Sequence, residues 1–181
     1  MMEQTKSLDK EPKEVQLCAA TPADAVEIDN IMKDTWRAIY LSPENGVSQQ
    51  WLDETAETFS SEYIVEKLEN NKDNPNHLFI VARAPDGQML GFLQGIKSPD
   101  FNELRSIYLS TDQIGKGTGG LLMRHFLNWA DSTKPSHLEV ASYNKRATGF
   151  YERYGFKKTD EKIEKFLGVI PQTRMVRPPI K

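Results

Sequence analysis

The stretch of this chain best suited to chemistry is Gly115-Lys116-Gly117-Thr118-Gly119-Gly120, four glycines in six residues. It lies between an apolar run ending near Leu109 and a helix-like segment beginning near Thr118. Glycine lets the backbone turn sharply and removes the side chains that would hold an anion away from the amides. The first amides of the following helix lack intrahelical acceptors, and the helix dipole adds partial positive charge there. Such a loop is a cradle for a diphosphate. A P-loop would require Gly-Lys-Ser/Thr at its end, whereas Lys116 is followed by Gly117. A dinucleotide fingerprint is literally present as Gly115-x-Gly117-x-x-Gly120, with Glu139 about twenty residues on as a ribose-binding acid. Too few residues follow Gly120 for the rest of a doubly wound domain, and antiparallel hairpin signals precede the loop. A nicotinamide-dependent oxidoreductase stays open as an alternative.

Other chemistry is sparse. His125 falls mid-helix and His137 opens a strand, positions that suit surface or structural roles. No histidine–cysteine cluster has metal-ligand spacing, so no metal is expected. The single cysteine, Cys18, rules out an internal disulfide and fits a reducing compartment. In the strand-like run Val15–Ala19 it reads as a small, half-buried hydrophobe. A net charge of -3 argues against nucleic acid as a partner. No apolar run reaches the ~20 residues needed to cross a bilayer, and the charged start lacks a secretory h-region. The expectation is a cytoplasmic protein with no membrane partner, monomeric or homodimeric. Residues 1–13 read as a flexible segment and 14–181 as a single domain.

The elements that must position the loop follow from pattern. Thr21-Pro22-Ala23-Asp24 is a helix start, with Thr21 as cap, Pro22 at the first helical position and Asp24 closing the box. Ile28, Ile31, Met32 and Ile39 then recur at helical spacing as far as about Tyr40. Leu41–Val47, with Pro43 and Gly46, reads as a loop, and a less regular piece around Trp51 precedes a second helix over about Ser60–Glu69. His77–Ala84 and Met89–Ile96 form a hairpin across Pro85-Asp86-Gly87, and Glu103–Leu109 is a third strand of that region. Leu121, Leu122, Phe126, Trp129 and Ala130 put an apolar stripe on the helix behind the glycine loop. A short strand His137–Ala141, a helix Lys145–Tyr154 and two strands near Lys157–Phe166 and Gln172–Arg177 complete the order. The fold class is α/β (α+β), with helices packed on one mixed sheet.

Ile107 through Phe156 resembles the GNAT superfamily of N-acetyltransferases. The family carries Gln/Arg-x-x-Gly-x-Gly/Ala in this loop, and Ile114-Gly115-Lys116-Gly117-Thr118-Gly119 occupies it, with Leu121-Leu122 behind. The later family pattern Asn-x-x-Ala-x-x-Phe-Tyr-x-x-x-Gly-Phe is met by Asn144, Ala147, Phe150, Tyr151, Gly155 and Phe156. Both motifs occur in order, and Met89-Leu90-Gly91-Phe92 looks like the family's third strand. The departure is Ile114 at the Gln/Arg position, with Gln113 one residue early. Backbone amides bind the diphosphate in the family, so the resemblance implies that binding survives, with Gln113 or Lys116 compensating.

The resemblance implies a mostly antiparallel sheet of about six to seven strands with one splayed pair, flanked by about four helices. It implies acetyl-CoA as donor and direct attack of a neutral amine, of a polyamine-like small molecule or a peptide, on the thioester carbonyl. Gly115, Lys116, Gly117, Thr118, Gly119 and Gly120 would hold the diphosphate, with Asn144 as helix cap and cofactor contact. Main-chain groups of Ile107, Tyr108 and Leu109 would hold the pantetheine arm and the carbonyl. Tyr151 would protonate the departing thiolate. Glu103 is the candidate base, and Trp36 and Tyr40, with Trp51 nearby, are candidates to line the acceptor pocket. Trp36…Tyr40 and Gln172-Thr173-Arg174-Met175 look similar to bacterial polyamine acetyltransferases of the superfamily. A catalytically silent acyl-CoA-binding domain on the same fold is the other alternative.

Overall fold

The computed structural model describes residues 14–180; the segment 1–13, expected to be flexible, lies outside the described residues. Seven strands form one sheet in the order β1-β2-β3-β4-β5-β7-β6: β1 (Gln16–Ala19), β2 (His77–Arg83), β3 (Met89–Lys97), β4 (Asn102–Leu109), β5 (Ser136–Ala141), β6 (Lys157–Lys158) and β7 (Gln172–Arg177). Neighbouring strands are antiparallel except for β4 and β5. A single parallel pair does not make a doubly wound sheet, so the dinucleotide-domain alternative fails on topology.

Five helices cover the sheet, one more than expected: α1 (Ala25–Tyr40), α2 (Gln49–Glu57), α3 (Ser61–Asn71), α4 (Thr118–Trp129) and α5 (Lys145–Arg153). The addition is α2, in the piece around Trp51 that read as irregular. Ser48 caps it by accepting from the Trp51 amide at 3.1 Å, and Leu52 and Ala56 bury its inner face. Nine residues carry too little periodicity to stand out in sequence. The strand expected over Lys157–Phe166 shrinks to two residues. Thr159 still donates its amide to the Arg174 carbonyl at 3.0 Å, after which the chain leaves the sheet through charged residues.

The sheet has a core on each face. Ile28, Trp36, Leu52, Ile64, Phe92 and Ile170 are buried on the side of α1, α2 and α3. Leu93, Leu104, Leu122, Phe126, Leu138 and Phe156 are buried on the other side, beneath α4. Alternation along the strands feeds both layers: Phe92 and Leu93 are adjacent and belong to opposite cores. Cys18 is exposed rather than half-buried, because β1 is an edge strand whose alternation turns Val15 and Leu17, and not Cys18, toward the core beneath α4. Among the described residues no helix is long and apolar enough to cross a membrane.

Candidate active site

The register of β4 makes the opening on which the site depends. Gln94 of β3 faces Ser106 and Gly95 faces Leu104, so Arg105 is an extra residue that bulges the strand. A bulge bends its strand and interrupts pairing. On its other edge β4 pairs with β5 only at Asn102↔Ser136 and Glu103↔His137, and beyond these positions the strands part. Asn102 fixes the closed end: its side chain donates to the Asp131 carbonyl at 2.9 Å and accepts from the Asp131 amide at 2.9 Å. The sequence-expected splayed pair is therefore β4 and β5.

A cleft of about 530 Å³ follows this gap. Ile107, Tyr108 and Leu109 line it from β4. Gly115, Gly117, Gly119 and Gly120 line it from the loop and the first turn of α4. Gly115 and Gly117 hold φ of 82° and 95°, left-handed conformations that glycine adopts without strain. The first helical bond runs from the Leu121 amide to the Gly117 carbonyl at 3.1 Å, which leaves the preceding amides of α4 without intrahelical acceptors. The Thr118 hydroxyl is buried with no partner, an orphaned polar group at the same helix start. A Cβ on Gly119 would approach Leu109 to 3.3 Å, so the helix presses closely on β4 there. The cradle fits a diphosphate. Lys116 and Thr118 stand outside the cleft lining, and the Lys116 amide is already donated to the Gln113 carbonyl at 3.2 Å. The Lys116 ammonium is exposed, 3.8 Å from Asp112.

The remaining predicted residues converge on the same space. Asn144 caps α5, accepting from the Ala147 amide at 3.0 Å, and its side-chain nitrogen is left to donate. Tyr151, two turns on, lines the cleft with its ring edge-on to Phe150 at 5.4 Å. Burial, with the nearby Tyr108, pushes the Tyr151 phenol well above its ordinary value, so it stays protonated at neutral pH. Trp36 and Tyr40 line the cleft from α1, and the Tyr108 hydroxyl accepts from the Trp36 indole at 3.0 Å and contacts the Tyr40 hydroxyl at 3.2 Å. Trp36 is also core, edge-on to Phe59 and Phe166 at 5.4 and 5.6 Å. Trp51 packs against the core behind and does not line the cleft. Glu103 lines it beside Arg105, with oxygen and nitrogen 3.6 Å apart. His137 stacks on Phe101 at 4.4 Å, and burial holds its pKa down.

Sequence reasoning missed part of the wall. Tyr108 is expected to lend only main-chain groups, yet its hydroxyl is the hub of the Trp36–Tyr40 contacts. Lys67, Gln94 and Arg105 also line the cleft, and the Lys67 ammonium donates to the Gln94 carbonyl oxygen at 2.8 Å. The available signal was a polar residue inside the apolar run Met89–Ile96, and a lysine on the apolar side of α3 beside Ile64 and Leu68. Glu139, the supposed ribose acid, is held by Arg174 at 2.7 Å.

Residues 45–175 match the family model described as an acetyltransferase (GNAT) domain. No curated protein matches the chain in sequence. Among solved structures, the chain is similar to a PaiA N-acetyltransferase from Thermoplasma acidophilum in complex with coenzyme A, at 19% identity and a TM-score of 0.74, over 91% of this chain and 99% of that one. It is similar to Ard1 from Thermoplasma volcanium at 20% identity and a TM-score of 0.68, over 92% and 99%. It is also similar to a chimera of the spermidine N-acetyltransferase SpeG from Vibrio cholerae and hSSAT, at 18% identity and a TM-score of 0.67, over 92% and 96%. With its splayed strand pair, its glycine cradle and a family match spanning most of the sequence, the chain belongs to the GNAT family of acetyltransferases, whose donor is acetyl-CoA.

Proposed function

We propose that this enzyme moves an acetyl group from acetyl-CoA directly to a primary amine, of a small molecule or a peptide, in the cleft between β4 and β5. The observation that carries this reading is the convergence on one cleft of the glycine cradle, the freed edge of β4 and the buried Tyr151 phenol. Acetyl-CoA supplies an activated thioester; the rest is done by the chain's own groups. Amides of Gly117, Thr118, Gly119 and Gly120 hold the diphosphate, and Asn144 adds a side-chain donor. Main-chain groups of Ile107, Tyr108 and Leu109 hold the arm and donate toward the carbonyl oxygen as negative charge develops on it. Tyr151, kept protonated by burial, gives its proton to the leaving sulfur. Glu103 accepts the amine proton directly or through water, and Trp36 and Tyr40 wall the acceptor side.

Isothermal titration with acetyl-CoA, CoA and NADH, followed by a free-thiol assay over a panel of amines, tests the reading. Acetyl-CoA binding with amine-dependent thiol release is expected. Binding without release from any amine would instead establish a silent acyl-CoA-binding domain.

A further inference from the structure

Toward the start of β4 the cleft meets a smaller cavity of about 160 Å³, and Lys67, Gln94 and Arg105 wall both. His77 lines the smaller one. Lys67 reaches this junction from α3, and its hydrogen-bond partner there is the neutral amide of Gln94. Among the described residues no carboxylate lies within ion-pair distance of it. Arg105, by contrast, is 3.6 Å from Glu103. Glu139, further along the cleft, is held by Arg174. Lys72 also lines the smaller cavity, so three cations face one carboxylate, Glu103, around the junction, and the balance of charge there is positive.

We propose that Lys67, with Arg105 and Gln94, is the pocket for a carboxylate carried by the acceptor, so that the enzyme acetylates amino acids or related amine-carboxylates rather than polyamines. This rests on the acetyl-transfer reading of the same cleft. A half-buried ammonium held by a neutral group has lost part of its hydration without gaining a counter-ion, and an arriving anion offsets that loss. The same imbalance is felt by its neighbours. Burial, and then Arg105, push the Lys67 ammonium down to about 8, with Glu103 acting against them. Burial, and then Lys67 and Arg105, also hold His77 below its ordinary value. The positive balance at the junction suits an anionic group on the acceptor. Arg105 presents a planar fork, and the Gln94 side-chain nitrogen is available to donate. Arg105 precedes Ile107 by two residues, about 6.6 Å along a strand, so a short amine-carboxylate spans from this pocket to the β4 edge proposed to hold the carbonyl. A polyamine in the same place would bring a second ammonium against Lys67.

The test is a set of matched acceptors: glycine, glutamate, lysine and a dipeptide, each against its carboxamide, with spermidine as a cationic control. Thiol release is measured at saturating acetyl-CoA. Neutralising the carboxylate is expected to lower kcat/KM about 10- to 100-fold, the worth of a hydrogen bond to a charged group. Lys67→Met and Arg105→Gln are each expected to shrink that gap to a few-fold while acetyl-CoA affinity by titration stays the same. Arg105 is largely exposed, so its variant reports even if the α3 substitution disturbs folding. Equal turnover of acid and amide, a preference for spermidine, or an undiminished gap in both variants overturns the carboxylate pocket and leaves the transferase standing. Absence of both acetyl-CoA binding and thiol release overturns the transferase reading and the pocket with it.

Discussion

Three phenols, those of Tyr40, Tyr108 and Tyr151, wall one cleft, and burial raises the pKa of each. A phenol so placed is a poor base and a persistent hydrogen-bond donor. The Tyr108 oxygen accepts from the Trp36 indole and shares one hydrogen bond with the Tyr40 hydroxyl, whereas Tyr151 is the phenol proposed to serve the reacting sulfur. Tyr151→Phe removes one oxygen and keeps the ring that packs on Phe150 and Phe156. Turnover should fall about 10²–10⁴-fold, with the acetyl-CoA dissociation constant little changed. Single-turnover thiol release and titration on the same preparation separate the two effects, and an unaltered rate removes Tyr151 from the mechanism. Asp24 gives a second prediction at this scale. Burial works to raise its pKa, but the Thr21 amide and hydroxyl and the Arg83 guanidinium outweigh it and hold the carboxyl below its ordinary value. As pH falls, the unfolded chain then takes up the proton first. The stability contributed by Asp24 is complete above the ordinary value and is lost as pH falls through the folded one. Asp24→Asn should flatten the acid limb of unfolding free energy below about pH 4, read by denaturant titrations at stepped pH.

At the scale of elements, the site depends on how tightly β3 and β4 are held while β4 and β5 part. Gly91 is the close contact. A Cβ there would fall 2.5 Å from the Tyr108 carbonyl oxygen and 3.1 Å from the Leu109 Cα, both backbone atoms. Gly91→Ala must therefore push β3 from β4 in the stretch that forms the cleft wall. Overpacking of this kind costs about 1–3 kcal/mol, or roughly 3–10 °C in Tm for a chain of this length. The displaced strand should also raise the KM for acetyl-CoA, so thermal melts and kinetics are expected to move together. A lowered Tm with an unchanged KM would separate the wall from the site. The α1 end is fixed differently: Arg83 of β2 pairs with both Asp24 and Glu27, tying the helix start to the β2–β3 hairpin. That tie orients Trp36 and Tyr40, which lie further along the same helix.

At the scale of the molecule, both cores share a single sheet, and neither helical layer has a strand set of its own. Unfolding one face exposes the back of the other, so a single cooperative transition is expected by calorimetry. The cleft lies between the two layers and is walled by α1, β4, α4 and α5 together. Acetyl-CoA bound there stabilises the whole fold by mass action, about 2.7 kcal/mol at a hundred times its dissociation constant. The transition should then move up as one peak by about 5–10 °C. Two separated peaks, or a shift in part of the signal, would show that the layers unfold independently.

The sequence by itself determined the parts whose cause is local. Four glycines at a strand-to-helix junction dictate a turned backbone and open amides whatever packs around them. Asn144 caps because its side chain reaches an amide three residues away. The long apolar strands and the striped helix behind the loop follow from period alone. Short or unpatterned elements escaped: α2 is stabilised by a cap and by burial of Leu52 and Ala56, and β6 ends where no partner continues it. Tertiary structure decided which distant residues share a wall. The bulge at Arg105 exists only in register with β3, and the gap between β4 and β5 exists only because pairing stops after Glu103. Lys67 and Gln94 are 27 residues apart, and the meaning of that lysine depends on the desolvation and missing counter-ion that packing imposes. Hydrogen bonding to near neighbours is written in sequence spacing, whereas burial and the balance of charge across a cleft are sums over groups that only the folded chain brings together.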